Sequence, residues 1–403
     1  MLQSLKFDWS SIKVALEGQS AVDIPRLNIK NKTDAKQFLF SYGYDVDDPL
    51  IREEIWRIYF QAIAFIREQL LDPGEKIPDP FLMRGASSDI IRLLIEASEP
   101  SKALLIGSGT QKLSGPMQKA RMGRWACAIL RVMHIISHLD NDVRVENFQA
   151  AREQIFGRFD RFITQTAPRR WRFGDNSNGV GLVRYIKKER KERNSILIKL
   201  LSKPQAVIEE IYDRLGFRFV TETRFDCYRL LQVLLDFGVI VLPNIQPGRS
   251  VNSLIPLDIF KEITTQTHDE LEKGQLSLRL ARRKIQKLEE ENLVPLGMVR
   301  NPLSSRWYRA IQFTCRHLIV AQDPTFKFWM EAKARLEKSA ATRKIVEKIP
   351  VSLREKKTFF YPFEVQILDV ESYVESIGGR SRHRDYKQKQ RLMARNRVLR
   401  DLV

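Results

Sequence analysis

The chain is poor in the residues that build disulfide scaffolds and metal cages: 3 cysteines and 5 histidines among 403 residues. Cys127, Cys227 and Cys315 are odd in number and far apart, without metal-ligand spacing. That excludes a disulfide-stapled fold and fits buried thiols in a reducing compartment. Long hydrophobic runs are lacking too, and none approaches the ~20 residues of a membrane-spanning helix. The opening MLQSLKFDWSSIKVALEGQS has no charged segment followed by an apolar block, as a secretory leader would. A cytoplasmic location and no membrane partner are therefore expected. Nothing repeats internally. Gly107-Ser108-Gly109-Thr110 lacks both the Gly-Lys-Ser/Thr ending of a phosphate loop and the third glycine of a dinucleotide fingerprint, which leaves a plain loop. Negative charge is the last shortage, with 49 acidic residues against 68 basic ones.

What is present follows from that imbalance. A formal net charge of +19 attracts polyanions and speeds their encounter, so nucleotides, RNA and the ribosome are candidate partners. The excess concentrates in Arg184 to Arg193, Arg279 to Lys287 and Arg380 to Arg400. With 43% hydrophobic residues the chain can bury a substantial core, as two domains or as one with insertions.

Residues 1–170 read as a helical domain, with apolar residues at helical spacing in Ile51 to Leu71, Ile90 to Ala97 and Trp125 to Leu139. From about 180 the pattern changes to helix, strand, helix, strand: Ile196 to Leu201, Ile208 to Val220, Cys227 to Phe237, Val239 to Leu242. Charged helical insertions are expected at about 257–293 and 326–349, and a strand at Ala310 to Val320 between them. The strand Thr358 to Leu368 alternates as a half-buried strand should, and a basic helix from about Tyr386 closes the chain. The expected fold class is α+β, a mixed sheet flanked by helices over 171–403.

Two acidic residues lie in apolar strand-like surroundings, where a carboxylate is costly unless paired or metal-bound. They are Asp213 in Ile211 to Val220 and Glu364 in Phe363-Glu364-Val365-Gln366-Ile367. Around them stand Lys191, Ser195, Ile196 and Lys199, then Asp213-Arg214-Leu215-Gly216-Phe217-Arg218, Asp226-Cys227-Tyr228, Tyr308, and Gly379, His383, Tyr386 and Lys387. In type and mutual spacing these resemble the motifs of the RelA/SpoT synthetase domain. The likeness covers roughly residues 185–390, interrupted by two insertions. It departs from the family at Glu189, where an arginine is usual and Arg190 or Arg193 is near enough to substitute. It departs again at Arg306-Trp307, in place of Asn-Gly, and at Gln312, in place of His.

The resemblance implies a nucleotidyltransferase-like core that moves pyrophosphate from ATP to the 3'-hydroxyl of a guanine nucleotide, making guanosine tetraphosphate or pentaphosphate alarmones. It implies Asp213 and Glu364 as catalytic and Mg2+-binding residues, and Lys191, Arg193, Ser195, Lys199 and Arg218 on the ATP phosphates. Tyr308, Gln312, His383 and Lys387 fall on the acceptor side. The family's hydrolase half needs further His and Asp ligands, and hydrolysis is not expected. His134 and His138, one helical turn apart, read as a helix C-terminal pair rather than a metal site. Two alternatives stay open: the same chemistry on an RNA or tRNA 3' end, and a catalytically inert, basic nucleotide- or RNA-binding regulator.

Overall fold

The structure is a computed structural model that describes residues 20–24, 27–82, 89–98, 115–142, 144–189, 191–208, 211–294, 308–338, 355–378 and 383–402, with 14, 16–18 and 342. Gly107 to Thr110, Arg190, Arg306, Trp307, Gly379 and most of 339–354 lie outside these residues. The described residues form twelve α-helices and one seven-stranded mixed sheet, an α+β protein.

Two compact units divide the chain, one of residues 1–142, 192–211 and 384–403, the other of 143–191 and 212–383. The backbone passes between them four times, so no single boundary near residue 170 separates them. In chain order the first unit holds α1 (Lys32–Tyr42), α2 (Pro49–Phe65), α3 (Ile90–Glu96) and α4 (Gly115–Asp140). The chain enters the second unit with α5 (Phe148–Asp160), β1 (Ile163–Ala167), β2 (Arg170–Phe173) and β3 (Val180–Lys188). It returns for α6 (Arg193–Ser202), then runs through β4 (Gly216–Thr221), α7 (Arg224–Asp236), β5 (Val251–Asn252), α8 (Leu257–Glu272), α9 (Leu278–Glu291), β6 (Ile311–Gln322), α10 (Pro324–Leu336), β7 (Lys356–Asp369) and α11 (Val370–Gly378). The last helix, α12 (His383–Leu399), lies mostly in the first unit.

Local chemistry sets the helix starts. Asn31, Asp48, Asp89, Thr223, Ser277 and Asp323 each accept a backbone N–H of the first turn with a side-chain oxygen, which satisfies donors that the helix itself leaves open. Thr223 and Asp226 cap reciprocally: the Asp226 N–H donates to Thr223 Oγ1 at 3.2 Å, and that hydroxyl donates to Asp226 Oδ2 at 2.9 Å. The Asp226-Cys227-Tyr228 run therefore has a structural role at the head of α7.

The helical unit packs Tyr59, Phe81, Leu93 and Trp125 with Leu200 of α6 and Val398 of α12 in one core. Its closing helix spends much of its charge locally. Arg391 pairs with Asp72, Arg395 with Glu75, and Arg397 with Asp23 in a two-pronged contact at 2.9 and 2.8 Å.

The sheet runs β1-β2-β3-β4-β7-β6-β5, with β4 and β7 parallel and every other named pair antiparallel. Residues alternate across a strand, so Phe217, Phe219, Phe363, Val365, Ile367 and Phe313 share one face. They form a core with Phe156 and Phe159 of α5 and Leu230 and Leu234 of α7. None of the three cysteines is in a disulfide, and all three are buried.

Several expectations change. β1 lies in the stretch read as wholly helical, and β1, β2 and β3, three of the seven strands, fall where no strand was expected. Val239 to Leu242 is no strand: Ile240 donates to Leu234 O at 3.1 Å in a turn that buries Val239 and Ile240. The insertion at 257–293 is two helices, broken where Gly274 takes φ +67°. α5 begins at Phe148 with Asn147 as its N-cap residue.

Candidate active site

β7 builds the site by alternation. Between the inward Phe363, Val365 and Ile367 stand Glu364 and Gln366 on the other face, only 8% and 6% exposed. Register places Glu364 beside Gly216 of β4 and Thr314 of β6, and Gln366 beside Arg218 and Gln312. Five polar side chains from three strands thus share that face.

Their contacts form one network. Glu364 Oε1 accepts from Gln312 Nε2 at 2.5 Å, and Oε2 accepts from Gln366 Nε2 at 2.7 Å and Lys188 Nζ at 3.1 Å. Arg218 Nε in turn donates to Gln366 Oε1 at 3.0 Å. A carboxylate has about four lone-pair sites, and this one accepts three donors, which leaves one acceptor site on Oε1.

Gly216 explains how Lys188 reaches it. Lys188 and Glu364 flank Gly216 on the neighbouring strands β3 and β7. A Cβ at Gly216 would lie 3.0 Å from Glu364 O, 3.5 Å from Lys188 Cδ and 3.6 Å from Glu364 Cβ. The missing side chain leaves the gap through which the ion pair crosses a whole strand.

Asp213 sits in the turn ahead of β4, not within the strand as the apolar run suggested, because the ladder starts at Gly216. Its Oδ2 accepts from Lys191 Nζ at 2.7 Å. Tyr308 is half-buried against Val220, Ala310, Leu368 and Tyr373. Burial pushes its phenol up to about 12, with Arg218 pulling it down and Glu364 pushing it up. The hydroxyl therefore feels both charges of the network and stays protonated at neutral pH.

Lys191, Asp213, Arg218, Tyr308, Gln312 and Glu364 belong to one unit. Arg193, Ser195, Lys199 and Lys387 are carried by helices of the other. Ser195 and Lys199 lie one turn apart on α6, whose Ile196, Leu197, Leu200 and Leu201 face its core. Arg193 is engaged with Asp140 and, at 2.8 Å, with Gln61 Oε1. Lys387 is exposed on α12, and the side chain of His383 lies outside the described residues.

No family model, curated protein or solved structure matches this chain. The site must be read from its own geometry. Sequence reasoning missed Lys188, Gln366 and Gly216 as site residues, because strand pairing across 176 residues leaves no local signal. It also missed the pair at the other end of β7, where Arg224 Nε and the buried Asp369 Oδ2 are 3.6 Å apart.

No group of three or more His, Cys, Asp or Glu residues could hold a metal among the described residues. Mg2+ in phosphoryl-transfer sites is commonly held by one or two carboxylates, with phosphate oxygens completing its shell. Asp213, with its side chain 24% exposed, fits that part better than Glu364 at 11%, whose oxygens already serve three N–H donors.

His134 and His138 meet edge-to-face with centroids 4.4 Å apart, and the Tyr42 hydroxyl lies 2.8 Å from His134 Nδ1. Burial, helped by His138, pulls His134 from 6.5 down to about 4. The folded imidazole is then neutral, while the unfolded one takes up a proton as pH falls through 6.5. The stability it contributes at neutral pH is lost between those two values. Denaturant titrations at pH 7 and pH 4 should show the wild type losing on the order of 2 kcal/mol more than His134→Asn across that window. Equal losses would mean that His134 is not held neutral.

Proposed function

We propose that this polar face is the catalytic centre of an ATP-dependent pyrophosphotransferase with a nucleotidyltransferase-like core. A guanine nucleotide is the first-choice acceptor, the reading that the motif resemblance also favours. The observation that carries it is the buried, multiply hydrogen-bonded Glu364 carboxylate with a spare acceptor site, ringed by Lys188, Arg218, Gln312 and Gln366 on one sheet face. Phosphoryl chemistry needs positioned cations around the transferred group and an acceptor for the attacking hydroxyl's proton, and this arrangement supplies both kinds of group.

In this reading the acceptor 3'-hydroxyl donates to Glu364 Oε1 and attacks the β-phosphorus. The new O–P bond forms as the bond between the α,β-bridging oxygen and the β-phosphorus breaks, the hydroxyl proton passes to Glu364, and AMP leaves. Arg218 and Lys188 bear the charge of the transferred group. Asp213 would hold Mg2+, which when bound neutralises the triphosphate. Tyr308 offers an aromatic surface for the acceptor base. Lys191 would serve the ATP phosphates, and Lys191→Ala should weaken ATP binding in calorimetry about tenfold while circular dichroism stays unchanged. Unaltered affinity would remove Lys191 from the donor site.

Incubating the chain with labelled ATP and GDP, GTP, ADP, ATP or tRNA tests the reaction. Labelled product with a guanine nucleotide supports the proposal, and product with tRNA alone moves the acceptor to RNA. One observation favours an inert nucleotide- or RNA-binding regulator instead: both carboxylates already carry a lysine partner. ATP binding without transfer to any acceptor would establish that reading.

A further inference from the structure

The helical unit contains a cavity of about 400 Å³, within the ordinary range for small-molecule sites. Its walls come from helices α1 to α4 and the segment 21–27 and are mostly aliphatic, with Leu39, Ile58 and Leu94 buried in them. Polar groups are few. The Tyr44 hydroxyl and Ser137 Oγ share a hydrogen bond at 2.5 Å, and Tyr42 meets His134 as described.

The exception is Arg131. It lines the cavity at 8% exposure, and its Nη1 and Nη2 donate to Val398 O and Ile24 O, each at 2.9 Å. Both partners are neutral carbonyls. No carboxylate of the described residues is within ion-pair distance: the acid nearest in effect, Asp23, is held in two contacts by Arg397. Arg397 and Arg400 add further positive charge around it. A buried cation without a counter-ion is costly unless an anion is supplied, and burial with Arg400 pulls this guanidinium down only to about 10, leaving it charged at neutral pH.

We propose that this cavity binds a fatty-acyl monocarboxylate, its chain between the aliphatic walls and its carboxylate against Arg131. An apolar enclosure selects the chain, and the uncompensated guanidinium selects an anionic head over a neutral one. The site is independent of the transferase reading and stands whether or not ATP is turned over.

Calorimetry of the full chain with sodium decanoate and with 1-decanol, both below their aggregation limits, tests it. Decanoate should bind saturably and about tenfold tighter than decanol, the scale of one charge-assisted contact. Arg131→Met should erase that difference, and Leu130→Trp, which fills the cavity, should weaken both ligands. Absence of saturable binding, equal affinities in the wild type, or indifference to Leu130→Trp would overturn the proposal. Arg131 also ties two carbonyls, so a second measurement keeps the wild type: a photoreactive decanoate analogue should cross-link to residues 38–44 or 127–137. Cross-links confined to other segments would equally overturn it.

Discussion

If the proposed reaction holds, replacing Glu364 by glutamine should lower transfer from ATP by about two to four orders of magnitude while the sheet stays folded. Glutamine matches the carboxylate in shape, and its oxygen still accepts from one of Gln312 or Gln366. What it removes is the charge that holds Lys188 Nζ at 3.1 Å and the basic oxygen proposed to take the acceptor's proton. One N–H donor of the network then faces an amide N–H, so stability falls by roughly 1–3 kcal/mol, too little to unfold the chain. Single-turnover rates, compared with the denaturant midpoint of the same preparation, separate the two effects. A variant that transfers at the wild-type rate removes Glu364 from the chemistry, and one that loses activity only by unfolding assigns it to the fold.

The largest stability effect is expected at Phe217. It is fully buried, stacks on Phe159 with centroids 3.8 Å apart, and meets Phe156, Phe219 and Phe363 within 6.1 Å. Truncation to alanine leaves a cavity among rings that cannot all collapse inward, a change that costs about 3–5 kcal/mol. Phe217→Leu retains much of the volume and should cost less than half as much. The neighbouring residues Gly216 and Arg218 are site residues, so the loosened strand should also lower activity. Stability belongs to the sheet-bearing unit, and hydrogen exchange of β4 and β7 amides reports it more directly than a whole-chain melt. Unchanged protection in Phe217→Ala would mean that the aromatic cluster does not hold β4 in place.

Much of the elements' character was legible from residues alone. Phe363 to Leu368 alternates visibly, so β7 and the outward placement of Glu364 follow from local pattern. The same periodicity hid β3. Its Val180 and Leu182 alternate, but Arg184, Lys187 and Lys188 place charge on both of its faces, and a local pattern cannot tell a charged strand from a solvated loop.

Composition also determined that the chain is strongly basic, and that its few cysteines, now seen buried and in no disulfide, are not a scaffold. Which cations remain for a ligand was a tertiary matter. Arg391, Arg395 and Arg397 looked available along the tail, yet they are taken up by Asp72, Glu75 and Asp23, residues more than 300 positions earlier. Lys188 looked like one more charge in a basic run, yet it reaches Glu364 across Gly216. Periodicity is a property of neighbours in the chain and reads out which face a residue takes. Partnership depends on strand order and register, which are set by how all the apolar faces are buried at once, and only the folded chain decides that.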